Sequence, residues 1–277
     1  MGLKTILITG CGPNGIGSAL AKEFHMRGHT VFATGRSSAE IDPELVALGC
    51  RTLTMDVTST PSIASAVRFV ETATHGRLDI LVNNAGVLQV APFADMSVEA
   101  ARATFEINVL GVWAVTHAFL PQLLAARGVV ANLCSVNQVF CPPFLAAYNA
   151  SKAAVEALGR TLRRELAPLG VRVVALKTGS VRTPLFDASK TVLPEASLYA
   201  PLRQWIESKG FLGQARFVEV EDYAKGVVDD LLVDEPRPVI WRGGLATVAW
   251  LFSWAGWETI LDWSMIKGNQ LDRLRPI

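Results

Sequence analysis

The segment from Lys4 to Arg27 leaves this chain few folds to choose from. A short β-branched run, Lys4 to Thr9 (KTILIT), leads into Gly10-Cys11-Gly12-Pro13-Asn14-Gly15-Ile16-Gly17 and then into the helical pattern Ser18 to Arg27. A strand that passes through a glycine turn into a helix is the setting in which glycines mark a dinucleotide site. Glycine lets the backbone approach a pyrophosphate, and the helix start offers unpaired N–H groups and the positive end of its dipole. A merely structural turn would have the same outline, so the rest of the chain has to decide. At 277 residues, 50% of them hydrophobic, the chain suits one large α/β domain with a full core.

The second strand, Thr30 to Thr34, ends at Gly35-Arg36-Ser37. An NAD enzyme of this architecture would be expected to carry a carboxylate there for the ribose hydroxyls. Arg36 beside Ser37 suits a phosphate instead, because the planar guanidinium fork matches phosphate oxygens. The pair points to NADPH/NADP+ over NADH, unless Arg36 is merely solvated and the choice is made elsewhere. A third strand, Arg51 to Met55, delivers Asp56-Val57 to the strand ends where ligands of open α/β sheets sit. A helix pattern at Pro61 to Thr74 precedes the strand Asp79 to Val82, which ends in Asn83-Asn84-Ala85-Gly86. Two amides there can tie neighbouring strands and leave a donor facing the crevice, while Gly86 lets the chain turn close to a ligand. Asn108 sits in an apolar helical stretch, Ser97 to Ala126, so it is either bonded to backbone or part of a functional network. A fifth strand, Val129 to Cys134, presents Ser135 at its C-terminal end.

Tyr148-Asn149-Ala150-Ser151-Lys152 follows a short loop later. Residues four apart share a helix face, so the Lys152 ammonium can act on the Tyr148 phenol. A free tyrosine titrates near pH 10, and a cation beside it favours the phenolate and moves the value towards neutrality. Tyr148 could then exchange a proton with a substrate oxygen. The spacing is common on helix surfaces and by itself decides nothing.

In this order the residues resemble the short-chain dehydrogenases/reductases. The likeness runs from about Leu3 to Trp241 through Thr9-Gly10, Gly15-Ile16-Gly17, Asp56, Asn83-Asn84-Ala85-Gly86, Asn108, Ser135, Tyr148-x-x-x-Lys152 and Gly179-Ser180-Val181-Arg182-Thr183. It implies a doubly wound, Rossmann-type three-layer α/β fold with a parallel sheet of about seven strands. It also implies that Tyr148 is the acid/base, that Lys152 tunes it and holds the nicotinamide ribose, and that Ser135 bonds the carbonyl. Asn108 would anchor a water that relays protons, and Val181 and Thr183 would hold the carboxamide. The nucleotide would lie along Gly10, Asn14, Gly15, Ile16, Gly17, Arg36, Ser37, Asp56, Val57, Asn84, Ala85 and Gly86. Two departures stand out: the glycine loop is one residue longer than T-G-x-x-x-G-x-G, and Thr178 stands where the family mostly has proline. The loop, the Thr178-Gly179 pair and the apolar tail resemble the branch of fungal 1-acyldihydroxyacetone phosphate reductases, which also contains reductases of other substrates.

After a sixth strand, Val171 to Leu176, a long irregular region from Thr178 to about Gly213 carries Phe186, Leu193, Tyr199, Trp205 and Phe211. A connection this long and aromatic reads as a substrate-covering lid, with Phe140 to Leu145 as the opposite wall, and apolar walls imply a lipophilic carbonyl substrate. Val239-Ile240-Trp241 closes a single domain over 1–243. The extension 244–277 places Trp250, Trp254 and Trp257 at helical spacing, and Glu258 and Asp262 interrupt its apolar run. An interfacial helix on a membrane, a subunit contact and packing on its own domain all remain open.

With a formal net charge of +1 and no Lys/Arg run, nothing suggests a nucleic-acid partner. Four cysteines without a C-x-x-C pair, and histidines apart from them, give no metal site and fit a reducing, cytoplasmic compartment, with a membrane or lipid-droplet surface as the site of any tail contact. The strand pattern begins by Lys4, which leaves no room for a cleavable signal peptide. The expectation is an NADPH-dependent reductase of a lipophilic ketone or aldehyde, forming a homo-oligomer. Alcohol oxidation or isomerisation at the same site is the nearer rival, and a non-catalytic nucleotide-binding scaffold the more distant one.

Overall fold

The structure, a computed structural model, describes residues 2–189, 191–256 and 259–274. Its strands are β1 (Thr5–Ile8), β2 (Thr30–Gly35), β3 (Arg51–Thr54), β4 (Ile80–Asn83), β5 (Val129–Ser135), β6 (Arg172–Thr178) and β7 (Val239–Arg242). Its helices are α1 (Ile16–Met26), α2 (Pro43–Ala47), α3 (Thr60–Thr74), α4 (Val98–Phe105), α5 (Gly111–Ala126), α6 (Asn137–Phe140), α7 (Ala146–Leu166), α8 (Arg203–Glu207), α9 (Val220–Leu232), α10 (Ala246–Ala255) and α11 (Asp262–Gly268).

The strands form one seven-stranded sheet in the order β3-β2-β1-β4-β5-β6-β7, and every pair is parallel. A buried parallel strand feeds both layers because successive side chains point to opposite faces. Ile6 and Ile8 meet α1 and α9 through Leu20, Phe24, Val227 and Leu231, while Leu7 joins Ile63, Val70, Phe119 and Leu123 of α3 and α5 on the other face. Between the neighbours β1 and β4 the winding direction reverses, and their C-terminal ends diverge into the crevice where such sheets bind ligands.

The helical stretch expected over Ser97 to Ala126 is interrupted. A π turn, Glu106–Leu110, separates α4 from α5 and carries Asn108. The run from Val98 to Ala126 is apolar and long enough to cross a membrane, yet Val115, Phe119 and Leu123 are spent in the core.

The tail also differs from one helix carrying Trp250, Trp254 and Trp257 on a single face. Gly256 takes an extended conformation and ends α10, and a Cβ there would stand 2.6 Å from the Phe252 carbonyl oxygen. Trp250 and Trp254 do share a face, with ring centroids 6.4 Å apart, but Trp257 and Glu258 lie outside the described residues. Backbone bonds cross the boundary set at 243: Ser180 N–H donates to Gly244 O at 2.9 Å and Gly244 N–H to Ser180 O at 3.0 Å. Ala246 and Ala249 pack on Val136, Phe140 and Trp241, and Leu271 and Leu274 join the apolar cluster of the lid. Part of the tail therefore packs on its own domain, while Trp254 and Trp263 stay 80% and 73% exposed.

Candidate active site

At the β1/β4 crevice two side chains lock the glycine turn to the end of β4. Thr9 Oγ1 accepts from Asn84 N–H at 2.9 Å and from Ala85 N–H at 2.8 Å. Asn84 Nδ2 donates to Thr9 O and Gly10 O at 2.7 and 2.9 Å. Gly10 turns at φ +72°, and a Cβ on it would reach Ala85 Cα at 2.9 Å, while one on Gly17 would strike Asn84 Nδ2 at 2.5 Å. These glycines let the turn and the strand end close up on each other. The donor expected to face the crevice is absent: both Asn84 amide hydrogens serve the turn, and Asn83 Nδ2 donates to Thr116 Oγ1 and Asn132 Oδ1 at 2.9 and 2.8 Å.

A cavity of about 390 Å³ runs from this turn along the strand ends. Gly10, Gly12, Gly15 and Ile16 border it where α1 begins, and the first turn of α1 has no side-chain cap and no acidic residue. Its unpaired N–H groups are free for an anion. Arg36, Asp56 and Val57 line one end, and Ala85, Gly86, Tyr148, Lys152 and Thr183 the other. Asp56 is fixed by Thr58, whose N–H and hydroxyl donate to Oδ1 at 2.9 and 2.8 Å and hold the carboxyl below its usual range. A narrow cleft with an open helix start in the middle and a guanidinium at one end fits an extended dinucleotide. Asn14, Gly17, Ser37 and Val181 do not line it: Asn14 is the left-handed, exposed residue of the lengthened loop, Gly17 is buried against Gly10 and Asn84, and Val181 is buried in the core.

Arg36 is not waiting unpaired. Its Nε and Nη2 bind the two carboxylate oxygens of Glu40, each at 2.9 Å. Glu40 also lines the cavity, and the sequence reading missed it, although its place four residues after Arg36 was a usable signal.

At the inner end β5, α6 and α7 bring Ser135, Tyr148 and Lys152 together. Tyr148 and Lys152 lie in the first two turns of α7, and both are buried. Burial pushes the Tyr148 phenol up to about 12, with the nearby Ser135 hydroxyl acting the other way, while Ser135 Oγ accepts from Asn137 N–H at 3.1 Å. Lys152 is pushed down to about 8, also by burial. The expected lowering of the tyrosine by the lysine does not occur in this arrangement. Lys152 Nζ donates to the Leu133 carbonyl at 2.7 Å and stands 5.8 Å from the tyrosine ring centroid, so desolvation of the phenolate outweighs the distant cation.

Asn108 is held on both sides. Its Oδ1 accepts from Val87 N–H at 2.8 Å, and its Nδ2 donates to Val87 O at 2.9 Å and to Ser151 Oγ at 3.0 Å. Ser151 in turn donates to Tyr148 O at 2.8 Å. Asn108 therefore joins the loop after β4 to α7, and the π turn delivers it there by widening one helical turn. At the departure Thr178, the hydroxyl lies 2.6 Å from the Tyr223 hydroxyl of α9, a bond that proline could not make.

The lid residues Leu193, Leu202, Ile206 and Phe211 pack on Tyr148, Phe144, Leu145, Leu88 and Val90, with Phe186, Tyr199 and Trp205 at the margin. Phe144 meets Tyr199 and Phe211 at ring distances of 6.2 Å each. Phe140, expected in the same wall, turns to α10 and faces Phe252 at 6.4 Å, because α10 offers it the nearer apolar surface. A second cavity of about 580 Å³ shares Gly86, Val87, Leu185 and Ala188 with the first, and its lining mixes apolar Leu88, Val90, Met96, Val192 and Leu193 with polar Gln89, Asp95, Ser97, Ser189 and Thr191.

A parallel doubly wound sheet with a glycine turn, and a tyrosine, lysine and serine at one end of its cleft, defines a nucleotide-dependent α/β oxidoreductase. Residues 4–192 match the short chain dehydrogenase family, and the chain belongs to it. It is 39% identical over 256 residues to the short-chain dehydrogenase cctT of Talaromyces islandicus, covering 91% of this chain and 90% of that one. It is also 39% identical over 235 residues to the NADPH-dependent 1-acyldihydroxyacetone phosphate reductase of Schizosaccharomyces pombe, covering 83% and 78%. Among solved structures, a short-chain dehydrogenase from Streptomyces avermitilis superposes with a TM-score of 0.77 at 27% identity, covering 99% of this chain and 98% of that one.

Proposed function

We propose that this oxidoreductase uses NADPH to reduce a ketone or aldehyde on a lipophilic substrate to the alcohol. The observation that carries the reading is the inner end of the cleft, where the buried Tyr148 phenol, with Lys152 Nζ 5.8 Å from its ring centroid, lies under an apolar lid. The name of the fission-yeast relative, an NADPH-dependent reductase, supports the cofactor. The α1 start would hold the pyrophosphate, Arg36 the 2′-phosphate, and Lys152 the ribose next to the nicotinamide. Bound there, reduced nicotinamide supplies the hydride.

Ser135 and Tyr148 donate hydrogen bonds to the carbonyl oxygen and polarise it. As the carbonyl carbon gains the hydride, the Tyr148 O–H bond breaks and its proton goes to the oxygen, which leaves a phenolate to be reprotonated from solvent. A phenol at about 12 stays protonated at neutral pH, yet it is far more acidic than the alcohol it creates. The same value leaves Tyr148 almost wholly in its proton-donating form near neutrality, the form that reduction needs. Lys152, at about 8, still carries its proton at pH 7 and would favour the phenolate as it forms. Asn108 and Ser151 hold α7 and the 86–87 loop in register for this exchange.

The lid cluster offers carbon surface to the body of the substrate, and the adjoining cavity offers both apolar and polar groups. The thiols and the absence of a C-x-x-C pair fit a cytoplasmic enzyme, and a homo-oligomer is the expected assembly. Following nicotinamide absorbance with NADPH and a panel of lipophilic ketones tests the reading. Turnover of alcohols with NADP+ at neutral pH, without any ketone reduction, would reverse the direction assigned here.

A further inference from the structure

A separate groove of about 810 Å³ lies away from the cleft, along the outer edge of the sheet. Its floor is β6 and the edge strand β7, and its walls are α7 and α10. Five cations line it, Arg160, Arg163, Lys177, Arg237 and Arg242, against the two carboxylates of Glu156 and Asp230. Glu156 is shared by Arg160 and Lys177, and Asp230 is taken by Arg242. Among the described residues Arg163 and Arg237 have no carboxylate partner, so the groove presents net positive charge. Trp250 and Trp254 of α10 border the same groove and are 42% and 80% exposed, with Leu251 beside them at 53%.

We infer that this face docks on an anionic phospholipid surface. Tryptophans enter the headgroup boundary, where an apolar ring and a polar N–H are both accommodated, and neighbouring arginines pair with lipid phosphates. Two facts favour a membrane over a second copy of the chain. The arginines without partners sit next to the aromatic ridge, and an isologous contact would turn each positive groove towards its own like charge. The inner side of α10 is already spent, with Ala246 and Ala249 packed on Val136 and Phe140, so only its outer Trp face is left to insert. The inference stands on the groove alone and does not depend on which carbonyl is reduced.

The test is cosedimentation of the full-length protein with vesicles of phosphatidylcholine alone and with 30% phosphatidylserine. Tryptophan emission and size-exclusion chromatography are recorded in parallel. Binding should require the anionic lipid, weaken with salt and shift tryptophan emission to the blue. The double variant Arg163→Glu, Arg237→Glu should lose binding by about 30-fold or more, at roughly fivefold per arginine removed. Trp254→Ala should lose about tenfold or more. Both variants should keep the wild-type melting temperature, since none of these side chains is buried. Equal binding to neutral and anionic vesicles, binding unchanged in either variant, or a Trp254-dependent oligomer that ignores vesicles would each overturn the inference.

Discussion

Lys152 carries the least comfortable charge in the site, since its side chain is buried and donates to the neutral Leu133 carbonyl at 2.7 Å. Its pKa falls from 10.5 to about 8 on folding. Between those values the unfolded chain holds a proton that the folded chain has lost, so this residue makes stability rise with pH across pH 8 to 10.5. Lys152→Met should melt higher than the cofactor-free wild type at pH 7, and the gap should shrink as pH approaches 10. A gap that stayed constant would mean that the ammonium is well solvated in the fold. Arg36 offers a second test, because its exposed pair with Glu40 is of a kind worth about 0–1 kcal/mol, which a bound phosphate can displace. Arg36→Asp should lower the NADPH/NADH affinity ratio by about one to two decades, the loss of a bond to a charged group, and Glu40→Gln should raise it several-fold. A ratio that ignored both changes would move the discrimination into the glycine loop. The spacing of Tyr148 and Lys152 was legible in the sequence, because helical geometry alone sets it. The direction of their pKa shifts was not, because it depends on how deeply the lid and β5 bury them.

Strands and helices were legible wherever a period met a stop. The β-branched runs ending at Gly10, Gly35 and Gly86 became β1, β2 and β4 to within a residue or three. Two features escaped for physical reasons. The π turn at Asn108 depends on the partners Asn108 finds in Val87 and Ser151, residues remote in sequence. The break at Gly256 cuts a run whose tryptophan spacing promised one helix. Leu271 and Leu274 pack on the lid cluster, so the tail braces the lid as well as exposing a ridge. We expect truncation after Gly243 to leave a chain that still folds and binds NADPH, since the sheet lies before the cut. It should nevertheless melt lower and show a raised KM for the carbonyl substrate, having lost Gly244 from Ser180 and the apolar brace from the lid. A truncated protein with unchanged KM and melting temperature would show that the tail carries no load in the lid.

Across the whole molecule, distant segments build surfaces that no stretch of sequence displays. The basic groove draws Arg160 and Arg163 from α7, Lys177 from β6 and Arg237 and Arg242 from around β7, so a chain with no Lys/Arg run still acquires a positive face. The cleft is assembled in the same way, with the glycine turn from β1, Arg36 from β2, Asn84 from β4, and Ser135 and Tyr148 from β5 and α7. Its residues were legible because each closes a strand or shares a helix turn, whereas the occupied Asn84 amide was not, since hydrogen-bond partners are a property of the fold. The central claim is that this cleft reduces a carbonyl by proton donation from Tyr148 beside bound NADPH. The most direct measurement compares wild type and Tyr148→Phe for NADPH consumption with a lipophilic ketone and for NADPH affinity by fluorescence titration. Turnover should fall by about 10²–10⁴-fold in the variant, the usual worth of a general acid, while NADPH affinity stays within a few-fold. Near-wild-type turnover by Tyr148→Phe would contradict the mechanism outright.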